Sequence, residues 1–507
     1  MRPSVTGRNR PRAADKKMDK NLSPLHFSRS ACADEAIIAN RLAVSYRPMA
    51  AQRHFKKQVG LMGRVGRLVT LILMAILSSA CMPQGPFRVK PDLPPGPDGR
   101  INSDITFDGK KAKQCTKSDK NKENCIYFVE FDEFGNSFSR NQLNAGVRAA
   151  REVAQSGGDV IVYIHGWHHS ARAGDGDIDN FQDLVTRVGD APGAPRKTVG
   201  IYVAWRGDSI DKDTPLVGWS SYALTFWDRK ATAHNVGSGG GVSELLRKLS
   251  NIREINSDSR LMVIGHSFGG AILYSSISQT LGDQILRDAK GAEGSEATSV
   301  ADLAILVNPA FEAMRIKPLY DLARSYDYDT SVRPSLVIVT TTADWPTRNA
   351  FPLGRKIGTL LQSYPDENYR VLDTTAVGHY EPYITHQLAA AICTPSWDYP
   401  PPLKAINKPP KTLCIPGKAE RGASSLLLSR CENAHDCERV IGEKYLARGS
   451  VDEGFMPYRF PISNIRTDST VMTGHDDIWN ETMSNFLYQL MLVIVERPIA
   501  VPAPPDL

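Results

Sequence analysis

The chain has 507 residues, 41% hydrophobic and 23% charged, with a formal net charge of +6. This is ordinary globular composition; the length allows several domain-sized units, although α/β enzymes often run past about 250 residues as one domain. Much of the positive charge sits before residue 70, in Arg8-Asn9-Arg10, Lys16-Lys17 and Lys56-Lys57, so the remainder gives no electrostatic reason to expect a nucleic-acid partner.

Residues 1–61 read as a solvated, disordered basic arm. Residues 62–81 read MGRVGRLVTLILMAILSSAC. Arg64 and Arg67 precede an apolar run from Leu68 to Leu77, and Ser78, Ser79 and Ala80 lead to Cys81. This is the layout of a secretory signal. The run is short for a transmembrane helix, which needs about 20 residues, although an uncleaved membrane anchor is the other reading. The segment resembles a bacterial lipoprotein signal, departing from it at Ser78, where leucine is usual. The resemblance implies export to the cell envelope, with Cys81 lipidated as the mature N-terminus. A signal starts a chain, so residues 1–61 are expected to come from an upstream start codon and to be absent from the working protein.

Residues 82–123 are rich in proline and glycine at their start and read as an extended tether. Six cysteines follow Cys81: Cys115, Cys125, Cys393, Cys414, Cys431 and Cys437. In an oxidising compartment an even count suggests disulfides, and proximity pairs Cys115 with Cys125, Cys393 with Cys414, and Cys431 with Cys437. A metal site using His435 lacks a fourth ligand.

The folded part is expected over 124–495. Cys125–Phe131 is a candidate strand and Arg140–Gln155 a candidate helix. Short apolar runs then recur at Asp159–Ile164, Thr198–Trp205, Leu261–Ile264, Asp302–Val307 and Ser335–Thr340. Continuous Val/Ile/Leu runs mark strands buried on both faces. Helical stretches such as Val242–Ile255 and Gly269–Leu281 separate them, which predicts a mostly parallel sheet flanked by helices. Residues 390–455, proline-rich at their start, read as a disulfide-braced insertion before the last strand, Arg459–Arg466. A final amphipathic helix over Asp477–Val495 precedes a frayed tail, 496–507.

Gly265-His266-Ser267-Phe268-Gly269 follows the third run and opens a helix, matching G-x-S-x-G. Such a turn is sharp and strained, so small residues flank the serine, and the helix start favours an oxyanion. His165-Gly166-Trp167 ends the first run. Acyl transfer needs two donors where negative charge develops, and the backbone N–H groups of Phe268 and Trp167 are the candidates. His165 then braces the loop.

These segments, YIHGWHHSA (163–171) and IGHSFGG (264–270), resemble the α/β-hydrolase superfamily, in particular exported or membrane-anchored bacterial serine hydrolases. The resemblance implies that fold, an oxyanion hole and the chain order Ser…Asp…His. Asp344, just past the fifth run, is the candidate acid. Two histidines qualify as base. His379 lies at an ordinary interval after Asp344, whereas His475 directly precedes the final helix, and that position favours His475. His386 reads as part of a helix face.

An aromatic cluster, Trp219, Tyr222, Phe226 and Trp227, reads as core, with a substrate wall as the other reading. The expected activity is cleavage of a small-molecule or lipid ester through an acyl-enzyme, with no cofactor and no metal. An amidase, a peptidase or a non-catalytic envelope scaffold on the same fold are the alternatives.

Overall fold

The computed structural model describes residues 85–92, 96–100, 107–118, 122–190, 196–207, 219–289, 300–328, 334–391, 412–416, 425–430 and 461–494. The upstream unit, Met1–Cys81, lies outside them, and with it the basic arm 1–61, the signal 62–81 and Cys81. The tail 496–507 and Cys393, Cys431 and Cys437 also lie outside, as does the side chain of Cys414. Among the described residues, no helix is long and apolar enough to cross a membrane.

The downstream unit is built on an eleven-stranded mixed sheet. Its strands are β1 (Lys113–Lys117), β2 (Glu123–Glu130), β3 (Asp159–Ile164), β4 (Thr198–Ala204), β5 (Arg260–His266), β6 (Leu303–Val307), β7 (Leu336–Thr341), β8 (His386–Ala391), β9 (Thr412–Pro416), β10 (Ser425–Arg430) and β11 (Ile462–Thr467). The order across the sheet is β1-β2-β4-β3-β5-β6-β7-β11-β8-β10-β9. From β2 to β8 every neighbouring pair is parallel, while the edge pairs β1–β2, β8–β10 and β10–β9 are antiparallel.

The central strands are buried on both faces. Along β3, Val160, Val162 and Ile164 point into one core, while Ile161 and Tyr163 point into the other. The first core packs under the helices Arg140–Gln155, Gly241–Ser250, Phe268–Asp288 and Ala313–Arg324. The second packs under Gly176–Gly189 and Glu481–Ile494. Helices on both faces leave each strand without a solvent side, which is why the runs read as continuously apolar. Side-chain caps fix helix starts: Ser139 accepts from the Gln142 amide, and Asp175 from the Asp177 amide.

Two sequence expectations change. Strand β1 falls within the expected tether 82–123 and pairs with β2, so the sheet begins before residue 124. Cys115 lies opposite Cys125 in that ladder, and a disulfide joins them. Its threonine and lysines gave a polar texture because an edge strand exposes most of its surface. His386 opens β8 and does not lie on a helix; pairing of β8 with β11 and β10 overrides the helix propensity of Gln387, Leu388 and the alanines that follow. The described part of the 390–455 insertion, β9 and β10, extends the sheet edge.

The segment at 85–92 is tied down as well. The buried carboxylate of Glu130 accepts from the amides of Phe87 (2.6 Å) and Arg88 (3.0 Å) and from Gln142 Nε2 (3.0 Å). Arg88 lies 3.9 Å over the Phe128 ring and donates to the Ala171 carbonyl. Glu130→Ala is expected to release this segment, making it cleavable by limited proteolysis under native conditions. A cleavage pattern like that of the parent would contradict the tie.

Candidate active site

Four neighbouring strands, β3, β5, β6 and β7, point their carboxyl ends the same way. The loops leaving them carry His165-Gly166-Trp167, Ser267, Asn308 and Asp344. Ligand sites of open α/β sheets lie at such strand ends.

Ser267 stands between β5 and the helix Phe268–Asp288, at φ 55° and ψ −118°. A non-glycine residue held there costs about 1–3 kcal/mol. The turn is held on both sides of the serine. The Ser267 amide donates to the Val307 carbonyl (3.0 Å), and the Ser267 carbonyl accepts from Gly270, Ala271 and Ala310. A Cβ at Gly269 would sit 2.1 Å from the Ile164 carbonyl oxygen, and one at Gly265 would sit 2.7 Å from that of Gly269. The glycines of G-x-S-x-G are therefore needed for close backbone passage.

Ser267 Oγ lies 2.8 Å from His475 Nε2, although 208 residues separate them. His475 Nδ1 lies 2.9 Å from Asp344 Oδ1, at an angle off that of a linear hydrogen bond. The second histidine, His379, is not brought to Ser267. Its Nε2 lies 2.9 Å from Thr347 Oγ1, and Thr347 donates its hydroxyl and its amide to the two Asp344 oxygens. His379 thus backs the carboxylate. Asp344 is fully buried. Burial pushes its carboxyl up, but the His475 charge and hydrogen bond, with His379 and Thr347, hold it below its ordinary value. Burial pushes His475 down, but Asp344 outweighs this and raises it. Burial lowers His379 to about 4, so it is neutral.

His165 is fully buried. Its Nε2 accepts from the Trp205 amide (3.1 Å), and its Nδ1 donates to the Gly166 carbonyl (2.8 Å). A Cβ at Gly166 would come within 3.0 Å of Ser267 Cβ, so this loop passes against the elbow. The Trp167 amide follows directly. The Phe268 amide is first in its helix, where no intrahelical acceptor exists.

Three residues of the site went unread in the sequence: His266, Asn308 and Thr347. His266 Nε2 (3.0 Å) and Asn308 Nδ2 (2.9 Å) both donate to the His475 carbonyl. Asn308, at φ 44°, also accepts from the Thr341 amide. His266 is the variable position of the motif, and an asparagine after a strand is a common turn residue, so neither carried a local signal. Thr347, three residues after Asp344, stands at the spacing where an aspartate carboxylate accepts from a backbone amide.

Two metal-like groupings occur among the described residues. In Cys115–Glu123–Cys125 the sulfurs form a disulfide. In His266–His475–Asp476 both ring nitrogens of His475 already face Ser267 and Asp344. The arrangement pairs a hydroxyl with a base and a base with a buried carboxylate, which is what proton transfer from a serine nucleophile requires.

No protein-family model matches the chain, and no curated protein matches its sequence. Among solved structures, phospholipase PlaB from Legionella pneumophila in complex with thio-NAD is similar at 16% identity and a TM-score of 0.17. The match covers 36% of this chain and 38% of that one.

The elbow geometry yields a contrast between two glycines. Gly269→Ala is expected to cost about 3 kcal/mol, at the upper end of overpacking penalties. Gly474→Ala, beside His475 but with nothing within 4 Å of the added Cβ, is expected to be near neutral. Denaturant titration measures both; equal stabilities would refute the close passage.

Proposed function

We propose that this chain is a serine hydrolase of the α/β-hydrolase type, cleaving an ester through an acyl-enzyme. The supporting observation is the Ser267–His475–Asp344 chain, with 2.8 and 2.9 Å between its members. Ser267 Oγ attacks the carbonyl carbon as its proton passes to His475 Nε2. Asp344 stabilises the imidazolium. The oxygen that becomes negative faces the Phe268 amide, at the helix start, and the Trp167 amide. Collapse breaks the ester bond, and His475 returns the proton to the leaving alcohol. Water, deprotonated by the same histidine, then frees the acyl group and restores Ser267. His379 and Thr347 hold the carboxylate; His266 and Asn308 hold the histidine's backbone. The secretory pattern at 62–81 and the Cys115–Cys125 disulfide support work in the cell envelope.

A fluorophosphonate probe is expected to label the chain at Ser267 and to leave Ser267→Ala unlabelled, with ester hydrolysis falling about 10⁴-fold or more. A folded protein that takes no label would favour a non-catalytic scaffold.

The pH profile offers an independent check. His475 accepts the proton only when neutral, and Asp344 raises its pKa. Activity should therefore fall as pH drops through an inflection above about 6.5, the ordinary histidine value. Asp344→Asn should move that inflection down while lowering the rate about 10⁴-fold. An unmoved inflection would show that another group sets it.

A further inference from the structure

The loop that carries His475 is gripped at two places. At His475 itself, His266 and Asn308 hold the carbonyl. Further along, Trp479 packs against the second core, its indole edge-on to Tyr163 with 5.0 Å between ring centroids. The Trp479 Nε1 donates to Asp177 Oδ1 (2.5 Å), and the Tyr163 hydroxyl donates to Asp177 Oδ2 (2.8 Å). Asp177 is 3% exposed. A carboxylate buried this far needs donors. Here one comes from β3 and the other from the loop after β11, 302 residues along the chain.

Asp177 stands in the first turn of the helix Gly176–Gly189, which Asp175 caps. Negative charge is favoured at a helix start, which suits that turn to two acids. Asp175 holds the other loop of the site. Its Oδ1 accepts from His169 Nδ1 (2.8 Å), and its Oδ2 accepts from the Ser170 amide (2.9 Å). These residues follow directly on His165-Gly166-Trp167 and on His168, which sits at φ 67°. A non-glycine residue keeps such a conformation when its surroundings over-determine it, and the Asp175 bonds lie just after it.

One helix turn therefore grips the loop with the candidate oxyanion donor through Asp175 and the loop with the base through Asp177. The two loops come from distant parts of the chain, and each must meet Ser267 within a fraction of an ångström.

We infer that Asp177, acting through Trp479, is a positioning residue for His475, and that the first turn of Gly176–Gly189 sets the base loop against the oxyanion loop. The clamp stands on its own bonds; its effect on catalysis rests on the hydrolase reading.

The test uses the full chain and variants that separate the bond from the packing around it. Trp479→Phe keeps a ring and removes the donor. Asp177→Leu keeps the indole and removes the acceptor. Tyr163→Phe removes the other donor to the same carboxylate and leaves the His475 loop its own bond. Hydrogen exchange is read by mass spectrometry over residues 471–480, where the amides of Val471 and Met472 donate to Asp468 and that of Thr473 donates to Asp477. Exchange is expected to quicken in Trp479→Phe and Asp177→Leu and to keep the parent's rate in Tyr163→Phe. Fluorophosphonate labelling at saturating probe is expected to slow about tenfold or more in the two quickened variants, with the probe concentration for half-maximal rate unchanged. Asp177→Asn, which keeps an acceptor, is expected to regain most of the rate lost in Asp177→Leu. Thermal melting checks folding; should Asp177→Leu not fold, Trp479→Phe against Tyr163→Phe decides. Parent-like exchange in Trp479→Phe, or equal quickening in Tyr163→Phe, overturns the inference. So does parent-like labelling in a Trp479→Phe chain whose loop exchanges faster, because the bond would then serve the fold alone. A parent that takes no label removes the hydrolase reading alone, and exchange still judges the clamp.

Discussion

The site depends on one close passage of bare backbone, where the turn after β5 runs against the end of β3. Gly269 lies against the carbonyls of Ile164 and His165, and Gly166 lies against Ser267. The contact fixes the serine relative to the loop that carries the candidate second oxyanion donor, the Trp167 amide. It also explains how an unfavourable φ at Ser267 persists. Hydrogen bonds from Ser267 to Val307, and from Ala310 to Ser267, hold the residue from the β6 side. A local strain of a few kcal/mol is kept because the sheet on either side over-determines it.

His475 presents a different problem, since its loop lies far along the chain and its ring must stay free. The structure grips the backbone instead. His266 and Asn308 donate to its carbonyl, Thr341 Oγ1 donates to the Met472 carbonyl (2.8 Å), and Asp477 accepts from the Thr473 amide (2.7 Å). The imidazole then has both nitrogens available, one for Ser267 and one for Asp344. The carboxylate is held in turn by Thr347, with neutral His379 behind it. A second charged group there would compete with His475 for Asp344, and burial of His379 prevents that.

What the sequence made legible was local. Strands β3 to β7 are apolar because both faces are covered, so their runs stand out unaided. Ser267 could be read because the elbow writes its constraints into adjacent residues. Asp344 could be read from its place just past a strand. His475 and His379 could be separated only by position, because the pairing with Ser267 spans the whole domain. Strand β1 was hidden in a polar segment, since an edge strand has little apolar surface to show. Strand β8 was hidden by alanines whose local preference is helical. His266 and Asn308 act through hydrogen bonds to a distant carbonyl, which leave no spacing in the sequence to find.

Of the four aromatic residues read from the sequence, Phe226 and Trp227 have described side chains, while those of Trp219 and Tyr222 lie outside the described residues. Phe226 reaches both candidate oxyanion residues and Phe351, the buried first residue of the outward helix Phe351–Gly358. Trp227, beside it, packs on Gly354 and keeps part of its ring in solvent. Neighbouring residues of one helix thus touch the turn at Ser267 and the exposed surface. Arg355, paired with Asp373 and Glu312, then locks the outward helix to the body.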